Sequence, residues 1–281
     1  MDNLTARIAN LDALPALPQA LSRLITLLGD DDRDGEEIAR IVGSDRALSL
    51  TVLRAANSAA MRGSVQIHSV AQAVARLGAG PLLRLTISQM SGQVLSRAGK
   101  GYGLEGQSSW EGALAGGLAA EILARGTGVD PAIAFTSALL RDCGKLAMDA
   151  LCGVEEMQRV LAAKDGNQCQ MEFERLAFSC DHAEAGAILV HAWGLSDDIV
   201  SAVRWHHEPA GAGGSLLVDI VHAGDMVAAQ LGFGIGLDGL SYTLDEAAIA
   251  RIGISQNRYL EVMADTSVKL DEFISELKAI E

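Results

Sequence analysis

Five side chains in the second half of this chain could share a metal-dependent chemistry: Asp142, His182, His206, His207 and Asp225. A binuclear centre needs several imidazoles and carboxylates pointing inward from different helices, and this inventory supplies both kinds. Against it stands Arg141, directly before Asp142 in the segment Leu139-Leu140-Arg141-Asp142-Cys143-Gly144-Lys145-Leu146. The segment has the form of a metal-binding helix. A guanidinium, however, has no lone pair to donate and stays charged at any usable pH. It carries its own positive charge to the place where a cation would sit. The remaining spacings also have ordinary readings. Asp142 and Lys145 stand i and i+3 on one predicted helix, which makes a simple ion pair. His206 and His207 are neighbours, roughly 100° apart around a helix, and are expected to face different points. His68, His191 and His222 are read as hydrogen-bonded structural residues.

The elements that must position these groups are helices. Of 281 residues, 49% are hydrophobic but only 4% aromatic, and Ala, Leu and Gly dominate. That balance favours helices packed through small side chains over a sandwich rich in Val, Thr and Tyr. The chain is long enough for one large domain or two small ones. Pro15 and Pro18 flank a run with Leu17, Leu21, Leu24, Ile25 and Leu28 on one face, which Gly29 and an acidic loop from Asp30 to Asp34 end. Asp34 with Glu37, Ser69 with Gln72, and Asp181 with Glu184 read as capping boxes. Gly80-Pro81 is expected to stop one helix and start the next, and Asp130-Pro131 to begin the helix of Arg141 and Asp142. Ser196 is expected to cap a helix reaching His206. The alternation of Val65 and Ile67 is too short to demand a sheet. The fold class expected is all-α. Residues 1–98 form an N-terminal lobe, 99–106 a glycine-rich linker, 107–231 a second lobe carrying the candidate site, and 232–281 a C-terminal extension.

Composition also excludes functions. A net charge of -14 argues against nucleic-acid binding, which depends on Lys and Arg neutralising phosphates, and disfavours anionic membranes. The four cysteines (Cys143, Cys152, Cys169, Cys180) show no CxxC spacing, so reduced thiols are expected and a zinc site built from them is not. No apolar run approaches the ~20 residues of a membrane span, and no signal peptide is visible. A cytoplasmic protein is expected.

Taken in order, these segments resemble the HDOD family, a branch of the HD-domain superfamily used as a signalling output module. In the first lobe the resemblance rests on Leu14-Pro15-Ala16-Leu17-Pro18, Ile41 to Asp45, Leu53 to Ser58, Ile67 to Val70 and Ala73 to Gly78. In the second it rests on Leu139 to Leu146, His182 to Gly186, Trp193-Gly194-Leu195, and Ile199 through Pro209 with its His206-His207 pair. The resemblance implies two closely packed helical lobes and a role in bacterial signal transduction through protein partners, a sensor or response regulator among them.

It also implies a damaged metal site. Metal-binding relatives place a first His after a Trp; here Trp110 is present and Gly112 stands in the matching position. Their His-Asp pair corresponds to Arg141 and Asp142, and their final carboxylate to Asp225. His182, His206 and His207 match the additional ligands of two-metal relatives. Two of the four ligands to the first ion are therefore missing, and no catalysis, metal or other cofactor is expected. Arg141 is expected to replace the metal as counter-ion to the remaining carboxylates, with Gly112 making room for it. The alternatives are a metal-dependent phosphohydrolase of nucleotides or phosphodiesters, and a nucleotide-sensing module whose pocket holds Arg141, Lys145 and the histidines.

Overall fold

In the computed structural model the described residues are 8, 17, 19–27, 35–57, 66–164, 169–237 and 242–278, and no strand occurs among them. Five helices make up the first half: Gln19–Thr26, Gly35–Gly43, Arg46–Ala56, Val70–Leu77 and Ala79–Leu95. The second half continues through Gly106–Ala124, Pro131–Leu140, Gly144–Cys152, Val154–Leu161, Gln170–Phe178, His182–Ala192 and Asp197–Trp205. After a short 3-10 turn at Pro209–Ala212 come Leu216–Gln230, Glu246–Ile252 and Gln256–Lys278. The all-α expectation is met. Four of these helices, Gly144–Cys152, Val154–Leu161, Gln170–Phe178 and Glu246–Ile252, had not been delineated from periodicity. They are short, seven to nine residues each.

Local signals account for several boundaries. Ser69 and Gln72 form the expected capping box, with the Gln72 N–H donating to Ser69 Oγ at 3.2 Å. Asp130 accepts from the Ala132 N–H at 2.7 Å with Pro131 in the first turn, and Asp181 accepts from the Glu184 N–H at 2.6 Å. Ser196 holds the N-cap position of Asp197–Trp205 but makes no side-chain cap bond. Gly80-Pro81 does not divide two helices. The break falls at Gly78, whose φ of 80° only glycine adopts readily, and Pro81 lies in the first turn of Ala79–Leu95, where its missing N–H goes unused. Ile67 belongs to no strand; its N–H and C=O both bond the Asn57 side chain at 2.8 Å. Residues 14–16, Pro18, Leu28, Gly29, Asp30 to Asp34 and Val65 lie outside the described residues, and with them the expected Asp34 cap.

The glycine-rich segment from Gly99 to Gly106 is built into the molecule. Tyr102 within it is fully buried, the Gly101 N–H donates to Asp149 Oδ1 at 2.9 Å, and the Tyr102 carbonyl accepts from the Leu237 N–H at 2.6 Å. Gly99 and Gly103 take positive φ, which lets the chain turn tightly there. One apolar cluster joins Leu21, Val52 and Leu83 of the first half to Leu114, Phe135, Leu139 and Val203 of the second. At its centre runs Gly106–Ala124, buried on every side from Gly112 onward. Its small residues permit close approach: a Cβ on Gly224 of Leu216–Gln230 would come within 2.8 Å of the Gly116 carbonyl oxygen. This contact brings Asp225, the next residue, beside the turn that carries Arg141.

Candidate functional site

Arg141 and Asp142 do not lie on a helix, as their sequence pattern suggested. Pro131–Leu140 ends just before them, residues 141–143 form a turn, and a new helix starts at Gly144. Arg141 is only 2% exposed, so each of its donors needs an acceptor inside the protein. Its Nε donates to Asp225 Oδ1 at 2.6 Å, one Nη to the Ala138 carbonyl at 2.8 Å and the other to the Gly112 carbonyl at 3.2 Å. Asp142 Oδ2 lies 3.4 Å from the same Nε. Burial alone would lower the Arg141 pKa, but Asp225 and Asp142 outweigh it and raise it further. The guanidinium thus stands between the two carboxylates.

Room for Arg141 comes from an unexpected glycine. A Cβ on Gly112 would collide with the backbone of Gly234, at 2.6 Å from its Cα, so Gly112 serves a chain crossing and lends its carbonyl. Gly116, one turn later, is the residue whose Cβ would overlap the Arg141 guanidinium, with Cζ at 2.8 Å. The i, i+4 relation of Gly112 and Gly116 on one helix face was the available signal.

Beyond Arg141 the histidines converge. The ligand atoms of Asp142, His182, His206 and His207 all lie within 4.8 Å of one another. Sequence reasoning had separated His206 from His207 by a helical step; the structure brings them together, with ring centroids 3.9 Å apart. The helix Asp197–Trp205 ends before them, so the 100° rule does not apply. Lys145 Nζ pairs with Asp142 Oδ1 at 3.1 Å, the expected i, i+3 contact, and lies over the Tyr102 ring. Burial raises the Asp142 pKa, yet Lys145 and then Arg141 more than reverse this and hold its carboxylate ionised.

Two of the three imidazoles are oriented by a hydrogen bond at Nδ1. His182 Nδ1 is 2.8 Å from Glu174 Oε2, and the His182 backbone N–H donates to the same oxygen at 2.8 Å. Gln170 donates to Glu174 Oε1 at 2.9 Å. His206 Nδ1 is 2.7 Å from the Val203 carbonyl, and His207 Nδ1 is 3.5 Å from Asp225 Oδ2. His206 Nε2 has no hydrogen-bond partner, while His182 Nε2 and His207 Nε2 face each other at 3.1 Å. Burial disfavours the charged ring and pushes His206 down to about 4; burial, then His206 and His182, hold His207 well below its usual range. His182 is the exception, since Glu174 outweighs the effect of burial and raises its pKa. Tyr242 closes the cluster from outside, stacked flat on His207 with centroids 3.9 Å apart.

Glu174 and Tyr242 escaped sequence reasoning. Glu174 is fully buried, and its signal was the i, i+4 pair with Gln170 on one helix face. Tyr242 lies in an irregular stretch that periodicity does not read. His222 is structural, as expected: Nδ1 meets the His206 carbonyl at 2.7 Å and Nε2 accepts from the Asp245 N–H at 2.8 Å. His68 and His191 are exposed, and neither belongs to the cluster.

The residues do not fit the first ion of the two-metal arrangement. Arg141 fills the space between Asp142 and Asp225, and Gly112 offers a carbonyl to that guanidinium where a ring would be needed.

The defining sequence pattern of the HDOD domain matches residues 14–209, and the chain belongs to the HDOD family. Its fold is similar to that of an HDOD domain protein with unknown function from Geobacter sulfurreducens, at a TM-score of 0.77 and 20% identity over 99% of this chain and 97% of that one. A protein from Shewanella amazonensis SB2B, provisionally named as a phosphohydrolase, shares the fold at a TM-score of 0.69 and 22% identity over 98% of each chain. An uncharacterised protein of Treponema pallidum (strain Nichols) is 26% identical over 207 residues, 73% of this chain. The chain spans 40% of the length of that relative. No described helix is long and apolar enough to cross a membrane.

Proposed function

We propose that this HDOD protein is a non-catalytic output module of bacterial signal transduction, acting by protein–protein contact with a sensor or response regulator. One observation carries the reading: the buried guanidinium of Arg141, bonded to Asp225 and flanked by Asp142, in the position where a catalytic first ion would need an imidazole. Activating a water requires an ion with an open coordination site. Here the neighbouring carboxylates are already neutralised by a side chain, and Tyr242 stacks over the histidines. Recognition then falls to the surface. The charge of -14 suits a partner with a basic or mixed face, which would associate more slowly as added salt screens the attraction.

The test is capture of partners from a native lysate by the wild-type chain and by Asp142→Asn and His206→Gln variants first shown by circular dichroism to be folded. Surface recognition predicts the same partners for all three, with association slowing as salt is raised. Loss of every partner with folded variants would make the cluster a sensor and overturn the proposal. The phosphohydrolase reading has its own support in the convergence of Asp142 with three histidines. Its weakness is the first-ion position, which the Arg141 guanidinium fills, and it is put to the test of turnover.

A further inference from the structure

Recognition by contact needs a surface, and one groove in the first half of the chain supplies it. The helices Gln19–Thr26 and Gly35–Gly43 pack together. Ala20 and Arg23 stand one turn apart on the first; Glu37, Arg40 and Ile41, with Ser44 just past the helix end, follow at i, i+3, i+4 and i+7 on the second. Together they line an open groove of about 320 Å³. Its floor is apolar, with Ile41 buried and Ala20 half-buried, and its rims carry Arg23 and Arg40, both exposed. Among the described residues neither guanidinium makes a hydrogen bond or ion pair. The chain has 36 carboxylate side chains against 22 Lys and Arg, so carboxylate partners are plentiful; Arg84, Arg125, Arg175 and Arg251 each hold one. Two arginines without one on the same groove make a cationic patch on an acidic protein.

We propose that this groove docks an acidic segment of a partner protein, with one carboxylate for each arginine and a small apolar side chain between them for the floor. The inference rests on the surface-recognition reading and names its point of contact. A guanidinium is the cation best shaped for a carboxylate, since its planar fork gives two parallel N–H···O bonds. Ile41 and Ala20 supply the apolar centre from which a charged rim excludes water. Ser44 Oγ donates to the Ile41 carbonyl at 2.7 Å, which leaves its lone pairs for an N–H of the segment. Glu37, half-buried on the same wall, sets the class of anion: it suits a backbone N–H or a lysine of a peptide and repels a continuous run of phosphates. Two arginines also cannot offset the charge of -14 that a nucleic acid or an anionic membrane would meet. A partner with a mixed face, acidic at this groove and basic elsewhere, satisfies both the groove and the overall charge.

The test is selection from an unbiased displayed peptide library on the full-length chain, followed by affinity measurement with the enriched synthetic peptides. Enrichment of peptides with two carboxylates about a small apolar residue is expected, with binding that weakens as salt screens it. Arg23→Glu with Arg40→Glu, both at exposed positions, should weaken these peptides about tenfold or more, because each attraction becomes a repulsion. Peptides with Lys in place of the two carboxylates should regain affinity for that variant alone. Exposed Arg97→Glu, the same charge change elsewhere, should leave binding unaltered. The wild-type selection reads the groove directly, so the test survives a variant that fails to fold. Neutral or basic enriched peptides, no enrichment, or equal binding to the folded double variant would each overturn the proposal. Inorganic phosphate bound as tightly as the peptides would overturn it too, by making the groove a small-anion site. So would peptide binding that tightens after Asp31→Asn with Asp32→Asn, which would make the chain's own acidic loop the occupant. Partners captured from lysate equally by the folded double variant would overturn the groove and leave surface recognition standing. Loss of partners with folded Asp142→Asn or His206→Gln, while wild type still binds the peptides, would instead strike that reading.

Discussion

Arg141→Ala should lower the free energy of unfolding by about 3–5 kcal/mol, the usual cost of removing one partner from a buried ion pair. The cost arises on the carboxylate side. Asp225 is 6% exposed and loses its contact at 2.6 Å, while the carbonyls of Ala138 and Gly112 lose their donors. Arg141→Lys should recover only part of it, because an ammonium on a flexible stem cannot reach Asp225 and both carbonyls in one planar arrangement. Removing both charges is different. The double change Arg141→Leu with Asp225→Leu should be much less damaging than either single change, since the carboxylate that remains, Asp142, still pairs with Lys145. Urea denaturation of the four variants, arranged as a double-mutant cycle, measures the coupling. A double-variant loss equal to the sum of the two single losses would show that the pair contributes no coupling.

Gly144→Ala should be comparably severe for a steric reason. A Cβ at this position would overlap the His182 carbonyl oxygen and the Gly186 N, with Gly186 Cα at 2.8 Å. These are backbone atoms of a neighbouring helix and cannot rotate away as a side-chain tip would. Overpacking ordinarily costs about 1–3 kcal/mol, and a backbone collision belongs at or above the top of that range. The strain would also displace His182 from Glu174 and from the histidine cluster. Gly80→Ala is the control, since its Cβ meets nothing within 4 Å on a helix with ordinary φ; there alanine should be neutral or stabilising by up to about 1 kcal/mol. A melting temperature for Gly144→Ala within a degree or two of wild type would refute the close helix contact.

Much of this architecture was legible in the sequence because local chemistry marks helix starts. Ser69 with Gln72, Asp130 with Pro131, and Asp181 ahead of Glu184 all cap helices where their side chains suggested. The Arg141–Asp225 pair was also foreseeable, since a buried guanidinium needs a carboxylate and Asp225 was the candidate. What was not legible depended on where helices stop. The turn at residues 141–143 contains no Gly or Pro, and Pro209 comes too late to mark the end of Asp197–Trp205 before His206. Helical geometry therefore misplaced Arg141 and kept His206 and His207 apart. The glycines were ambiguous for a related reason. Gly112 and Gly116 look alike in sequence, and only packing shows that one admits a crossing chain and the other the guanidinium. Glu174 became part of the site through a tertiary contact with His182 that no spacing rule predicts.

The central claim is that Arg141 has replaced the metal chemistry of this fold with a structural ion pair. Turnover tests it most directly: purified protein, supplied in turn with Mn²⁺, Fe²⁺ and Zn²⁺, is assayed on phosphodiester and nucleotide substrates beside a folded Asp142→Asn variant. The account predicts no hydrolysis above the variant with any ion. Metal-dependent turnover by the wild-type chain that disappears in Asp142→Asn would contradict it.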